Sequence, residues 1–111
     1  MNSLLKIAES LRKSLRSRGL KVAMPRSFGA CVELGFEFEG RTFFIYLYPG
    51  RFSEAVIAKL TPMICGCERA LACPYGLYAL SEPESLADHI YSKLDRLRVI
   101  GVYVEKEGVS V

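Results

Sequence analysis

Apolar and polar residues alternate along one stretch of this chain clearly enough to define a β-hairpin. Val32, Leu34, Phe36 and Phe38 alternate with Glu33, Gly35, Glu37 and Glu39, so a strand here has one apolar and one acidic face. Glu39-Gly40 follows as a two-residue turn, with glycine supplying the positive φ that such turns need. The chain then returns over Arg41 to Tyr48. A turn at 39–40 pairs Phe36 with Phe43, Leu34 with Ile45 and Val32 with Leu47 on a single face. The returning strand is unusual because its second face, Phe44, Tyr46 and Tyr48, is aromatic as well. A strand apolar on both sides is normally buried on both sides, so a helix of this chain or a second subunit must cover those rings.

Around the hairpin (32–48) the period changes. Leu4, Ile7, Ala8, Leu11 and Leu15 recur at helical spacing, predicting an amphipathic helix over 3–18 with Ser3 as its cap. Glu9 stands four residues before Lys13, a favourable helical pair, and Gly19 ends the helix. A short strand from Leu20 to Met24 stops at Pro25. Residues 53–60 fit a third strand better than a helix capped by Ser53, because Thr61-Pro62 has the chemistry to start a helix of its own over 62–72, ended by Pro74. Gly76 to Leu80 reads as a strand. Ser81 and Glu84 have capping-box spacing, and Pro83 suits the first turn of a helix over 83–96 with Leu86, Ile90, Leu94 and Leu97 on its inner stripe. Val99 to Val104, rich in β-branched residues, is expected as a last strand, with Lys106 to Val111 as a tail. The sum is one α+β domain over 1–111: a mainly antiparallel sheet of four to six strands with two or three helices.

Composition changes the picture at the cysteines. Cys31, Cys65, Cys67 and Cys73 stand in a chain with no glutamine and one asparagine, Asn2. Hyperthermophile proteins shed heat-labile amides, and they are the intracellular proteins in which structural disulfides are found. The N-terminus lacks the basic segment and continuous apolar run of a secretory leader, and no apolar run approaches the roughly 18 residues of a membrane span. The expectation is therefore a thermostable cytoplasmic protein of a hyperthermophile, braced by intramolecular disulfides. Cys65 and Cys67 are too close to bridge each other easily, so at most one of them should pair with Cys31, and the other is free to join Cys73. Zinc is a poorer reading, because structural zinc sites favour cysteine pairs with two to four residues between them. Free buried thiols are a third possibility. A thiol–disulfide redox centre at Cys65-Gly66-Cys67 is the fourth, with a helix start at 61–62 and Arg69 available to favour thiolate.

Charge supplies the remaining candidates. Residues 1–26 hold seven Lys/Arg against Glu9 alone, a charge of +6, and the remainder of the chain carries −3. Arg12, Lys13, Arg16 and Arg18 make the first helix a candidate nucleic-acid surface, although Glu33, Glu37 and Glu39 beside the aromatic face oppose phosphate there. His89, the single histidine, and Asp88 and Asp95 read as solvent-facing helix residues. There is no phosphate-cradling glycine pattern and no nucleophile elbow, so no cofactor, catalytic residue or metal ligand is assigned. The expectation is a non-enzymatic protein, with Phe44, Tyr46 and Tyr48 or the basic helix as the contact of a homodimer.

Overall fold

A computed structural model describes residues 3–51 and 54–108. Helix α1 (Leu4–Ser17) is capped by Ser3, whose side chain accepts from the Lys6 amide at 3.2 Å. Its end is a paired reversal: the Gly19 amide donates to Arg16 O and the Leu20 amide to Leu15 O, with Gly19 at φ 92°. Strands β1 (Lys21–Val22) and β2 (Arg26–Phe28) follow, interrupted by Pro25, and both pair with β3 (Cys31–Phe38). The central hairpin is β3 with β4 (Arg41–Pro49), in the register the turn dictates: Phe36 opposite Phe43, Leu34 opposite Ile45, Val32 opposite Leu47. Glu39 and Gly40 both have positive φ, 50° and 80°, as a tight hairpin turn matched to strand twist requires. Next come β5 (Val56–Thr61) and β6 (Leu77–Ser81), and the order β1-β3-β4-β5-β6 makes one antiparallel sheet. Residues 56–60 are thus strand, and the alternative cap Ser53 lies outside the described residues.

One face of the sheet carries the core. Val32, Leu34, Phe36, Phe43, Ile45, Leu47, Val56, Ala58 and Leu60 are buried beneath Ala8, Leu11 and Leu15 of α1 and beneath two further helices. These are α2 (Leu86–Ser92), which places Leu86 and Ile90 in the core, and α3 (Leu94–Glu107), which adds Leu94 and Leu97.

Three expected elements differ. The helix expected over 83–96 is a short 3-10 turn at Pro83–Ser85 followed by α2, which stops at Lys93. Ser81 belongs to β6 and donates to Glu82 O, so it caps nothing. The strand expected at Val99–Val104 is helix instead. Leu94, Leu97, Gly101 and Val104 are the buried positions, and that spacing of three and four is helical. A methyl on Gly101 would sit 3.0 Å from Phe43 Cε1, so the missing side chain lets the helix lie directly on the sheet's ring. Burial on one stripe outweighed the β-branched propensity of Val99, Val102 and Val104. The Lys106–Val111 tail is helical at Lys106 and Glu107, and 109–111 lie outside the described residues.

The third difference is 62–72, which forms only a 3-10 turn at Ala70–Ala72. Cys65 is bridged to Cys73, with Cα atoms 6.2 Å apart. In an α-helix residues eight apart are separated by about 12 Å along the axis, beyond any disulfide's reach. The bridge and the helix exclude one another.

A disulfide-held strap and the cleft beside it

The second sheet face alternates out of the same strands. It presents Arg26 and Phe28 from β2, Cys31 and Glu33 from β3, Phe44, Tyr46 and Tyr48 from β4, and Lys59 from β5. The irregular segment 62–75 crosses it as a strap. Cys31 pairs with Cys67, 36 residues later with Cα atoms 5.9 Å apart, and Cys65 pairs with Cys73. All four cysteines are therefore in disulfides, and the crowded pair Cys65 and Cys67 is divided between the two bridges. Cys65 and Cys67 belong to different bridges, and Thr61-Pro62 opens no helix, the next helical turn being the 3-10 turn at Ala70–Ala72. The helix N-terminus on which a reactive thiolate there depended does not exist.

Two tyrosines fasten the strap from below. Tyr46 is fully buried; its hydroxyl accepts from the Cys65 amide at 3.1 Å and the Gly66 amide at 3.0 Å, and donates to Glu33 Oε2 at 2.8 Å. Tyr48 donates to Cys67 O at 2.6 Å. Burial pushes both phenols above their ordinary pKa; for Tyr46 the two amides pull the other way, while Glu33 adds to the rise. Lys59 is buried on the same face, and no carboxylate among the described residues pairs with it. Its ammonium donates to Cys73 O at 2.7 Å and Tyr78 Oη at 2.9 Å, and lies 4.0 Å from the Tyr78 ring centre. The cover required by Phe44, Tyr46 and Tyr48 is thus internal. Tyr46 is closed off, whereas Phe44 and Tyr48 remain half-buried.

They remain so because the strap does not fill the face. Between it and the β2–β3 edge lies an open cleft of about 710 Å³, within the ordinary range for ligand sites. Phe44, Tyr48, Ala30 and the Cys31–Cys67 bridge form its apolar lining, and Phe28 and Ile64 face it while strongly exposed, at 47% and 67%. Arg26, Glu33, Glu68 and Arg69 bring charge to its margin. The Arg26 guanidinium lies 5.2 Å from the Phe28 ring centre and 3.7 Å from Glu33. Sequence reasoning assigned no role to Phe28, Ile64 or Glu68. The one signal that pointed here was the pairing of Cys31 with the later cysteines, which carries 64–69 to the start of β3.

The other candidates are dispersed. On α1, Arg12 Nε donates to Val22 O at 3.0 Å, and Arg18 is bound to Asp88 and lies over the Tyr91 ring. Lys13 and Arg16 are exposed. Of the acidic strand residues, Glu33 is held by Tyr46, Glu39 pairs with Arg98, and Glu37 is exposed opposite Lys21. His89 is exposed on α2, and Asp95 pairs with Arg98. Among the described residues no group of acidic, histidine or cysteine side chains is arranged to hold a metal, and no helix is long and apolar enough to cross a membrane. Compared with protein-family models, curated proteins and solved structures, the chain finds no match.

Proposed function

We propose that this chain is a small, non-enzymatic binding module whose working surface is the cleft beside the strap, and that its occupant is a peptide segment presenting a large apolar side chain between charged neighbours. The observation that carries this reading is a pair of strongly exposed apolar side chains, Phe28 and Ile64, that line one cleft together with Phe44 and Tyr48. Two disulfides and a buried tyrosine hold the strap that carries one of them in place, so a partner would meet a preorganised surface. Both signs of charge stand at the margin, which suits a polar-rimmed protein contact better than a phosphate backbone. Its most enclosed carboxylate, Glu33, is already engaged by Tyr46 and Arg26, which favours recognition over acid–base chemistry. The setting we infer is the cytoplasm of a hyperthermophile, supported by two intrachain disulfides in a chain without glutamine.

Selection from a displayed library of random peptides against the oxidised protein tests the reading. Enriched peptides should share an apolar anchor, and Ile64→Glu or Phe28→Glu should weaken them at least about tenfold with an unchanged melting temperature. No enrichment, or equal binding to both variants, would sink the proposal.

Nucleic-acid binding by α1 is the second reading, supported by the outward exposure of Lys6, Lys13 and Arg16. It is weakened by the internal engagement of Arg12 and Arg18. Retention of duplex or single-stranded DNA that falls steeply with salt, and is lost in Lys13→Glu/Arg16→Glu, would favour it over the cleft.

A further inference from the structure

The two long helices differ on their outward faces. On α1 that face is Lys6, Glu9, Lys13 and Arg16, as expected for a helix in water. On α3 the residues opposite the buried stripe are Val99, Val102 and Tyr103, exposed at 54%, 38% and 50%. The Tyr75 ring, 5.9 Å from the Tyr103 ring, widens the apolar strip. We propose that this face is a self-association seam, on which a second copy of the chain packs α3 against α3, antiparallel about a two-fold axis.

The spacing and charges along the helix argue for that occupant. Asp95, Val99, Val102 and Lys106 recur at intervals of four, three and four, the repeat of a coiled-coil seam. An antiparallel pairing centred between Val99 and Val102 sets Val99 against the partner's Val102. It sets Asp95 against the partner's Lys106, and by symmetry Lys106 against the partner's Asp95. A parallel pairing would stack Asp95 on its own copy and Lys106 on its own copy, like charge on like. The side chains of Lys106 and Arg96 have no hydrogen bond or ion pair among the described residues, whereas Asp95 holds Arg98 at 2.7 Å and keeps its second oxygen for another cation. Arg96, one position along from Asp95, faces the partner's Tyr103 in this register, an arrangement suited to a cation–π contact. The seam is at most about 21 Å long, which places it at the small end of specific interfaces and predicts a weak dimer, in the micromolar to millimolar range.

Sedimentation equilibrium of the full oxidised chain, from tens of micromolar to about 0.5 mM, reads the association. The apparent mass should rise from 12.4 kDa towards twice that value. Val99→Glu/Val102→Glu substitutes good helix formers at exposed positions, so the protein should stay folded, with an unchanged melting temperature, and remain monomeric. Asp95→Lys or Lys106→Asp alone should weaken the dimer roughly tenfold, since each turns two attractions into two repulsions. Asp95→Lys/Lys106→Asp together should restore it to within about threefold. A monomer at every concentration overturns the proposal. A dimer that survives Val99→Glu/Val102→Glu also overturns it, because the contact then lies elsewhere. Failure of the double charge exchange to recover what each single exchange loses overturns the antiparallel register.

Discussion

Tyr46→Phe removes one oxygen from the centre of the strap's attachment and leaves the ring's packing intact. Three hydrogen bonds depend on that oxygen: two accepted from the Cys65 and Gly66 amides and one donated to Glu33. A neutral hydrogen bond contributes about 1 kcal/mol net, and one to a charged group about 1.5–3 kcal/mol. The Glu33 carboxylate keeps Arg26 nearby, and water from the open cleft can reach amides that are only half-buried, so part of the loss is recovered. The expected cost is about 2–3 kcal/mol, or roughly 10 °C in melting temperature for a chain of this size. Tyr48→Phe is the internal control, because it removes a single bond, to Cys67 O, and should cost about 1 kcal/mol. Thermal and urea unfolding of the oxidised proteins measure both, and amide exchange should show protection lost first at Cys65 and Gly66. If Tyr46→Phe falls within about 0.5 kcal/mol of the parent, or costs no more than Tyr48→Phe, the strap is held by its disulfides alone and this reasoning fails.

The disulfides should rank by loop length: Cys31→Ser/Cys67→Ser, opening a separation of 36, is expected to cost about 4 kcal/mol, and Cys65→Ser/Cys73→Ser, with a separation of 8, about 2.5 kcal/mol, by denaturant unfolding. Equal losses would show that chain entropy does not set the order. Gly101→Ala should destabilise by about 1 kcal/mol, although alanine ordinarily improves a helix by that much, because its methyl meets the fully buried Phe43 ring at 3.0 Å; a higher melting temperature would contradict that contact. Tyr46 and Tyr48 both have folded pKa values above the ordinary 10.0, so the fold holds their protons when the unfolded chain releases them. Their contribution is intact below about pH 10 and declines as pH climbs beyond it, by up to about 1.4 kcal/mol per pH unit for each phenol. Tyr46→Phe should flatten that alkaline decline, and an unchanged slope would mean that this phenol is not the group titrating.

Local rules sufficed wherever a segment's partner was near in sequence or its period was unambiguous. The hairpin register followed from two turn residues and a period of two, because a slip of one residue would have turned Val32, Leu34 and Phe36 to the wrong face. Helix α1 followed from its apolar stripe, its serine cap and its terminal glycine, all carried by one continuous segment. The doubly apolar strand β4 announced that something must cover Phe44, Tyr46 and Tyr48, and the spacing of Cys65 and Cys67 announced only that these two would not bridge each other. Tertiary structure decided the cover itself. Residues 62–72 have the composition of a helix, but an eight-residue bridge requires two Cα atoms to lie closer than a helix allows, and a covalent bond outweighs local propensity. The same is true of Val99–Val104, whose β-branched residues suit a strand in isolation and become helical once Leu97, Gly101 and Val104 find one stripe of the core. The cleft is a further step from the sequence, since Phe28, Ile64 and Glu68 share no period and no motif. Their proximity follows from the Cys31–Cys67 closure across 36 residues and from the Tyr46 and Tyr48 bonds to the strap, and propensity, which acts over a few residues, carries no record of such long-range links.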